Sequence, residues 1–436
     1  MPTLRCRVMS KQQDIISIST LDLVECLSTA MDLVSPALAN HQRRVGFIAL
    51  RLAEQMGMGR ELCKEALIAG LLHDSGALSM PDRAITLTFE LGPTDSFSPH
   101  KHAVAGYHLV RKFRPFADVA QVIRFHHLPW GNGAGASCRD REVPLGAHLI
   151  HLADRIDVLV NDKVHILLQR PNIVDVIKHK SGELFQPQLV DAFVELARKE
   201  DFWLDIASVS MGAGVVADSG FAHEKLDCDD LLDMTELFGH IIDFRSRFTA
   251  THSTGVATCA ASLARLANFS EAECMMMKIA GNLHDLGKLA VPVEILEKPA
   301  ALTESEFNIV KAHTYYTYRV LRNFRDMEKI RQWAAYHHER LDGNGYPFHL
   351  QGAELSMGAR VMAVADVFTA ITEDRPYRAG MSPQEASRVL VGMAKNGALD
   401  GEVVQLLLDN FADVNHLRVL VQSASREEYQ DFRTGF

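Results

Sequence analysis

The sequence predicts an all-α protein built from two tandem copies of one helical unit. Three observations carry that reading. Apolar residues recur at three- and four-residue steps in most segments. No sustained period-2 run flanked by hairpin turns is present. The first half of the chain also returns, displaced by 211 residues, in the second. At 436 residues the chain is too long for one ordinary core, so two domains are expected.

Each half shows the helical period where it can be tested. From Val45 to Met56 the apolar set is Val45, Ile48, Ala49, Leu52, Ala53 and Met56; from Val256 to Leu266 it is Val256, Cys259, Ala260, Leu263 and Ala264. The displacement then carries His41 onto His252, Gly70 onto Gly281, His73-Asp74 onto His284-Asp285, Gly76 onto Gly287, His102 onto His313 and His126-His127 onto His337-His338. One inserted residue changes it to 212, which carries Gly131-Asn132-Gly133 onto Gly343-Asn344-Gly345 and Asp154 onto Asp366. Chance does not produce such a series. The glycine- and serine-rich stretch 208–228 reads as a linker between domains at 1–207 and 229–436.

Composition excludes several classes. Apolar residues make up 47% and charged residues 23%, ordinary for a globular chain. A formal charge of −10 gives no reason to expect DNA as a partner. No apolar run reaches the roughly 18 residues of a membrane span, and residues 1–20 lack the apolar core of a signal peptide. Seven cysteines without CxxC spacing read as reduced thiols in a cytoplasmic protein, with Cys63 and Cys259 in the core.

The repeated residues carry the chemistry. His252, His284, Asp285, His313, His337, His338 and Asp366 all lie in or beside apolar helices, where a lone carboxylate such as Asp366 is costly without a cation. Five imidazoles and two carboxylates suit Fe, Mn, Ni or Zn better than Ca or Mg. One bridging carboxylate would let seven residues serve two ions, which can activate a water and clamp a phosphate. The first half keeps the same residue types as His41, His73, Asp74, His102, His126, His127 and Asp154. In His337-His-Glu-Arg-Leu-Asp-Gly-Asn-Gly-Tyr-Pro347 the glycine run is expected to supply the bend that lets both histidines ligate, and Gly287 to close the helix ending at His284. His108, His148, His151, His240 and His349 fall outside the pattern and read as core or surface histidines.

The second domain resembles the HD-GYP family of the HD phosphohydrolase superfamily. The resemblance rests on His284-Asp285-Leu-Gly-Lys288, Lys311-Ala-His313-Thr, the 337–347 segment, Ala365-Asp366-Val-Phe and Arg375-Pro-Tyr-Arg378. It implies an HD-type helical bundle that hydrolyses a cyclic dinucleotide, cyclic di-GMP or cyclic GMP-AMP, to the linear dinucleotide. By resemblance His252, His284, Asp285 and Asp366 hold one divalent ion, and His313, His337, His338 and Asp285 the other, with Fe or Mn expected before Ni or Zn. Lys288 is implied at the scissile phosphate beside Asp285. Arg340, Asp342, Gly343, Gly345, Tyr346 and Pro347 form the signature loop, and Arg375 and Arg378 are further candidates for substrate contact. Phe248 stands where some members carry a third-ion glutamate, so two ions are expected, and Thr369 replaces a common aspartate. The first domain departs further, with Ala77 for the lysine and Leu128-Pro-Trp130 in the signature segment. It reads as a degenerate HD domain serving as scaffold, regulator or homodimerisation surface. A non-catalytic cyclic dinucleotide receptor and a nucleotide-cleaving HD phosphohydrolase are the alternatives; Lys288 with Asp285 opposes the first, and Gly345-Tyr346-Pro347 the second.

Overall fold

The computed structural model describes residues 19–33, 40–77, 100–209, 221, 226–244, 246, 251–322, 327–374 and 379–434, and these are almost wholly helical. The first half contains α1 (Thr20–Asp32), α2 (His41–Gln55), α3 (Arg60–Leu72), α4 (His100–Val110), α5 (Ala117–Phe125), α6 (Leu145–Val158), α7 (Ile166–His179), α8 (Pro187–Leu196) and α9 (Glu200–Val209). The second contains α10 (Cys228–Asp243), α11 (His252–Leu266), α12 (Glu271–Leu283), α13 (Glu304–Leu321), α14 (Glu328–Ala335), α15 (Met357–Thr372), α16 (Pro383–Lys395), α17 (Gly401–Asp409) and α18 (Phe411–Thr434). The strands among the described residues are Ser137–Cys138 and Arg141–Glu142, one short antiparallel pair. Most of the linker segment lies outside the described residues; Val209 still closes α9, and Cys228 opens α10.

The displacement in sequence reappears in the helix bounds. Both ends of α2 and α3 return at that same displacement as the ends of α11 and α12. The start of α6 returns as the start of α15 once the inserted residue is counted. Local chemistry sets several starts. Ser270 and Thr303 open α12 and α13 by exchanging bonds with Glu273 and Glu306, and Ser382 does the same with Glu385 behind Pro383. In each half the second and third helices cross at a glycine. A Cβ on Gly70 would lie 2.6 Å from the Gly46 Cα, and one on Gly281 would lie 2.4 Å from the Ala257 Cα. Only glycine permits that approach. It brings the His-Asp pair at the end of one helix beside the histidine that begins the other.

The two halves meet reciprocally. α1 packs on α2 and α3 and also on α13 and the Leu286–Ala290 turn of the second half; α10 packs on α11 and α12 and reaches α4 of the first. Lys112 of the first half pairs with Glu428 on α18 at 2.5 Å. No described helix is long and apolar enough to cross a membrane.

Candidate metal centres

His252 is the first residue of α11, His284 caps α12 and Asp285 follows it. His313 lies in the middle of α13 and Asp366 in the middle of α15. His337 and His338 occupy the turn after α14, whose cap is Tyr336. The bend between these histidines therefore comes from the helix end. The Gly343-Asn344-Gly345 run expected to supply it shapes the loop beyond. Gly287 also has a different role from the one expected. It lies inside the Leu286–Ala290 turn without a left-handed backbone, and a Cβ there would meet the His313 carbonyl oxygen at 1.9 Å. Close approach of α13, not helix capping, requires this glycine.

The structure brings the seven second-half residues together around Asp285. Its Oδ1 faces His313 Nε2 at 3.4 Å and His337 Nε2 at 3.9 Å; its Oδ2 faces His284 Nε2 at 3.2 Å and Lys288 Nζ at 2.5 Å. Asp366 Oδ1 lies 3.1 Å from His252 Nε2, and Oδ2 lies 3.7 Å from His338 Nδ1. The donors thus gather into two groups, His252 with His284 and Asp366, and His313 with His337 and His338, and Asp285 stands between them. Three rings are fixed from behind. His284, His313 and His337 each donate Nδ1–H to the carbonyl three residues earlier at 2.6 Å, which aims the Nε2 lone pairs inward.

Electrostatics fit a cation. Burial alone would raise the Asp285 pKa, but His284 and Lys288 override it and hold the carboxyl well below the usual range. Burial opposes the Lys288 ammonium, yet Asp285 keeps its pKa raised. Burial pushes His313 down to about 3 and lowers His337 and His338, leaving neutral imidazoles. His252 moves the other way: burial is outweighed by Glu373 and Asp366, which raise it to about 10. Asp285 Oδ1 is buried without a hydrogen-bond partner, a costly arrangement that a divalent ion on its imidazole side would relieve. Imidazoles with carboxylates are donors that could hold a metal ion.

Sequence reading missed three carboxylates behind the two clusters. Glu373 Oε2 holds His252 Nδ1 at 3.2 Å, and in the first half Asp157 Oδ2 holds His41 Nδ1 at 2.7 Å. They lie at different offsets from Asp366 and Asp154, so the repeat hides their shared role. Asp243 accepts from the Ser253 backbone and hydroxyl at 2.8 and 2.9 Å beside His252, and burial pushes its pKa up to about 7. The displacement that aligns the two halves also carries Asp32 onto Asp243, a match that was readable.

In the signature loop Arg340 and Asp342 pair with each other at 2.7 Å, and Asp342 Oδ1 accepts from the Asn344 backbone at 2.9 Å. Gly343 has φ 74°, and a Cβ on Gly345 would meet the Glu339 Cα at 2.4 Å. The backbone N–H of Tyr346 donates to the His338 carbonyl at 3.1 Å, and the two rings stand 4.9 Å apart, ahead of Pro347. Buried Glu339 organises this segment by accepting from Phe348 and Leu350 at 2.7 and 3.0 Å. Arg375, Arg378 and Phe248 lie outside the described residues. On α13, Tyr318 packs on Tyr336 and Phe348, while Tyr315 is exposed.

The first half brings its own set together. His41, His73, Asp74, His102, His126, His127 and Asp154 are all buried, and Asp74 divides its oxygens as Asp285 does, Oδ1 toward His102 and His126, Oδ2 toward His41 and His73. Buried Ala77 occupies the lysine position.

Comparison with known proteins gives consistent matches. One family model described as HD domain matches residues 236–403, and another of the same description matches 38–159. A Vibrio cholerae protein named 3'3'-cGAMP-specific phosphodiesterase 1 is 33% identical over 394 residues, 88% of this chain and 90% of its own. The 3'3'-cGAMP-specific phosphodiesterase 3 of the same organism is 32% identical, spanning 69% of this chain and 68% of its own. A cyclic di-GMP phosphodiesterase of Pseudomonas aeruginosa is 40% identical over 36% of this chain and 37% of its own. The crystal structure of a V. cholerae cyclic GMP-AMP phosphodiesterase, V-cGAP3, superposes with a TM-score of 0.62 at 25% identity, covering 91% of this chain and 98% of that one.

Proposed function

Because the chain belongs to the HD-GYP family of HD-domain phosphodiesterases, we propose that its second half hydrolyses a 3′,3′-cyclic dinucleotide, cyclic di-GMP or cyclic GMP-AMP, to the linear dinucleotide. The observation that carries this is Asp285: one buried carboxylate with its two oxygens toward two separate histidine groups and a lysine on its edge. In this reading His252, His284, Asp366 and Asp285 hold one divalent ion and His313, His337, His338 and Asp285 the other, Fe or Mn before Ni or Zn. Bound there, such ions supply an activated water and Lewis-acid charge at the phosphate.

The protein's own groups do the rest. Lys288 keeps its proton against burial and offers positive charge to a non-bridging phosphate oxygen as negative charge develops there. Glu373 orients His252, and Glu339 holds the 346–350 segment beside His338. Tyr346, with Phe307 at 6.2 Å, gives an aromatic edge next to the histidines on which a base can stack. Arg340, Asp342, Gly343, Gly345 and Pro347 set the loop's course. The boundaries 1–207, 208–228 and 229–436 belong to the same reading, with the first half as scaffold or regulator of a cytoplasmic enzyme.

The test is linearisation of cyclic di-GMP, cyclic di-AMP and cyclic GMP-AMP side by side, with purified protein and Mn²⁺ or Fe²⁺. At least one is cleaved, and the His284→Ala, Asp285→Ala double variant cleaves none. Binding without cleavage by the wild type would make the protein a receptor. Cleavage of mononucleotides alone would make it a nucleotide phosphohydrolase.

A further inference from the structure

In the second half the Phe348 ring packs against Tyr318, Tyr336 and Tyr315 at 4.9, 5.6 and 6.3 Å. The repeat removes much of that packing from the first half. The displacement of 212 carries Ala136 onto Phe348, and that of 211 carries Val104 onto Tyr315 and Leu128 onto Glu339. Two rings and a carboxylate are thus replaced by smaller or apolar side chains. A cavity of about 510 Å³ lies among the first-half counterparts.

Its apolar lining is Val104 on α4, Phe125 at the end of α5 and Leu128 just past His126-His127. Its charged lining is Arg124, Arg139 and Arg141. The repeat carries these onto Ala335, Gln351 and Ala353, so the three charges have no counterpart in the second half. Arg124 stands over the Tyr107 and Phe125 rings, its guanidinium carbon 4.8 and 5.4 Å from their centres. Arg139 and Arg141 come from the hairpin of Ser137–Cys138 and Arg141–Glu142. Its two turn residues, Arg139 and Asp140, are both left-handed, with φ 49° and 61°, a backbone that side chains resist and the surroundings must hold. Among the described residues, no carboxylate lines the cavity and none pairs with these three guanidinium groups.

Three uncompensated guanidinium groups call for an anion, and their planar forks match phosphate oxygens. The aromatic and aliphatic side suits a planar base. The volume is that of a small-molecule pocket. We propose that this cavity binds a nucleotide, with phosphate on Arg124, Arg139 and Arg141 and the base against Phe125 and Leu128. The site needs neither a metal in the first half nor the cleavage proposed for the second.

Cys138 lines the same cavity and is half-buried, while Cys228 is exposed at the start of α10. Alkylation of the purified full chain by N-ethylmaleimide, followed by peptide mass spectrometry, therefore reads occupancy locally, with Cys228 as the internal control. The probes are cyclic di-GMP, cyclic GMP-AMP, their linear dinucleotides, GMP, AMP and inorganic phosphate. Cleavage by the second half only converts one probe into another. An excess of at least one nucleotide slows Cys138 labelling about tenfold, as occupancy near ten times its Kd requires, and leaves Cys228 unchanged. Arg139→Gln with Arg141→Ala, which installs the second half's residues, abolishes the protection. Val104→Tyr abolishes it by filling the apolar side, and decides the matter if the arginine variant does not fold. Protection is the ratio of rates without and with ligand in one chain, so altered thiol reactivity cancels; thermal melting establishes folding. No protection by any nucleotide, equal protection by inorganic phosphate, slowing of Cys228 alongside Cys138, or protection retained in either folded variant overturns the assignment.

Discussion

Gly287→Ala tests whether the spacing around Asp285 is what the fold maintains. The new Cβ would sit 1.9 Å from the His313 carbonyl oxygen and 2.8 Å from the Thr317 nitrogen, against ordinary contacts of 3.4–4 Å. Relief needs the Leu286–Ala290 turn and α13 to move apart by most of that difference. The Gly287–Thr317 and Thr317–His284 hydrogen bonds, 2.9 and 3.0 Å, strain with it. Such overpacking costs about 1–3 kcal/mol of stability. The same motion parts His313 from Asp285, now 3.4 Å apart, and a misplacement of about 1 Å costs about 100-fold in rate. The control is Gly76→Ala, whose Cβ would meet the His102 carbonyl oxygen at 2.1 Å in the first half. Turnover of a cyclic dinucleotide, assayed well below both melting transitions, should fall about 100-fold in Gly287→Ala and stay near wild type in Gly76→Ala, although both melt earlier. Full turnover in folded Gly287→Ala, or equal loss in both, would refute the reasoning.

Three further outcomes are expected. Lys288→Met should lower kcat about 10²–10³-fold while the metal count is unchanged, as for loss of one charge donor in a shielded site; a fall in kcat of less than about tenfold would remove Lys288 from the chemistry. Glu339→Gln sets an amide among two backbone donors, costing about 1–3 kcal/mol; amide exchange at Phe348 and Leu350 should quicken and KM rise, and unchanged exchange would contradict the role given to this carboxylate. His240, buried and stacked on Phe244, has its pKa pushed down to about 4 by burial and by Lys112, with Glu428 opposing. The unfolded chain takes up that proton near pH 6.5 and the folded chain only near 4, so stability is full above about 6.5 and falls toward 4, by about 3 kcal/mol at about 1.4 kcal/mol per unit. Denaturant melts at pH 7.5 and 5 should show His240→Phe losing less than wild type; equal losses would exclude His240 as a source of the slope.

What could be read from sequence followed from what duplicates. Paired residues such as His73-Asp74 and His284-Asp285 survive in both halves because each half must still close its helices around the same crossing. Their spacing therefore exposes the clusters in the sequence itself. Asp157 and Glu373 escaped because one reaches the first histidine from within α6 and the other from the cap after α15, so no register aligns them. Gly287 was legible as a required glycine but not as a close approach, since the oxygen it faces belongs to a residue on another helix. Glu339 was visible inside the motif, yet its partners, the amides of Phe348 and Leu350, are fixed only once the loop folds back.

The first half keeps the ligand-type residues while Ala77 and Leu128-Pro-Trp130 replace the lysine and the signature segment. Burying seven polar residues without compensation would be ruinous, so substitution there is constrained by satisfaction of charge. Ala77 removes the lysine that would pair with Asp74, whose carboxylate stays buried. Arg155 and Gln42 add donors where carboxylate oxygens need them. The first half also supports its neighbour, because α1 packs directly on the turn that carries Lys288 and on the helix that carries His313. Deleting the first half would therefore expose the back of the turn that carries Lys288.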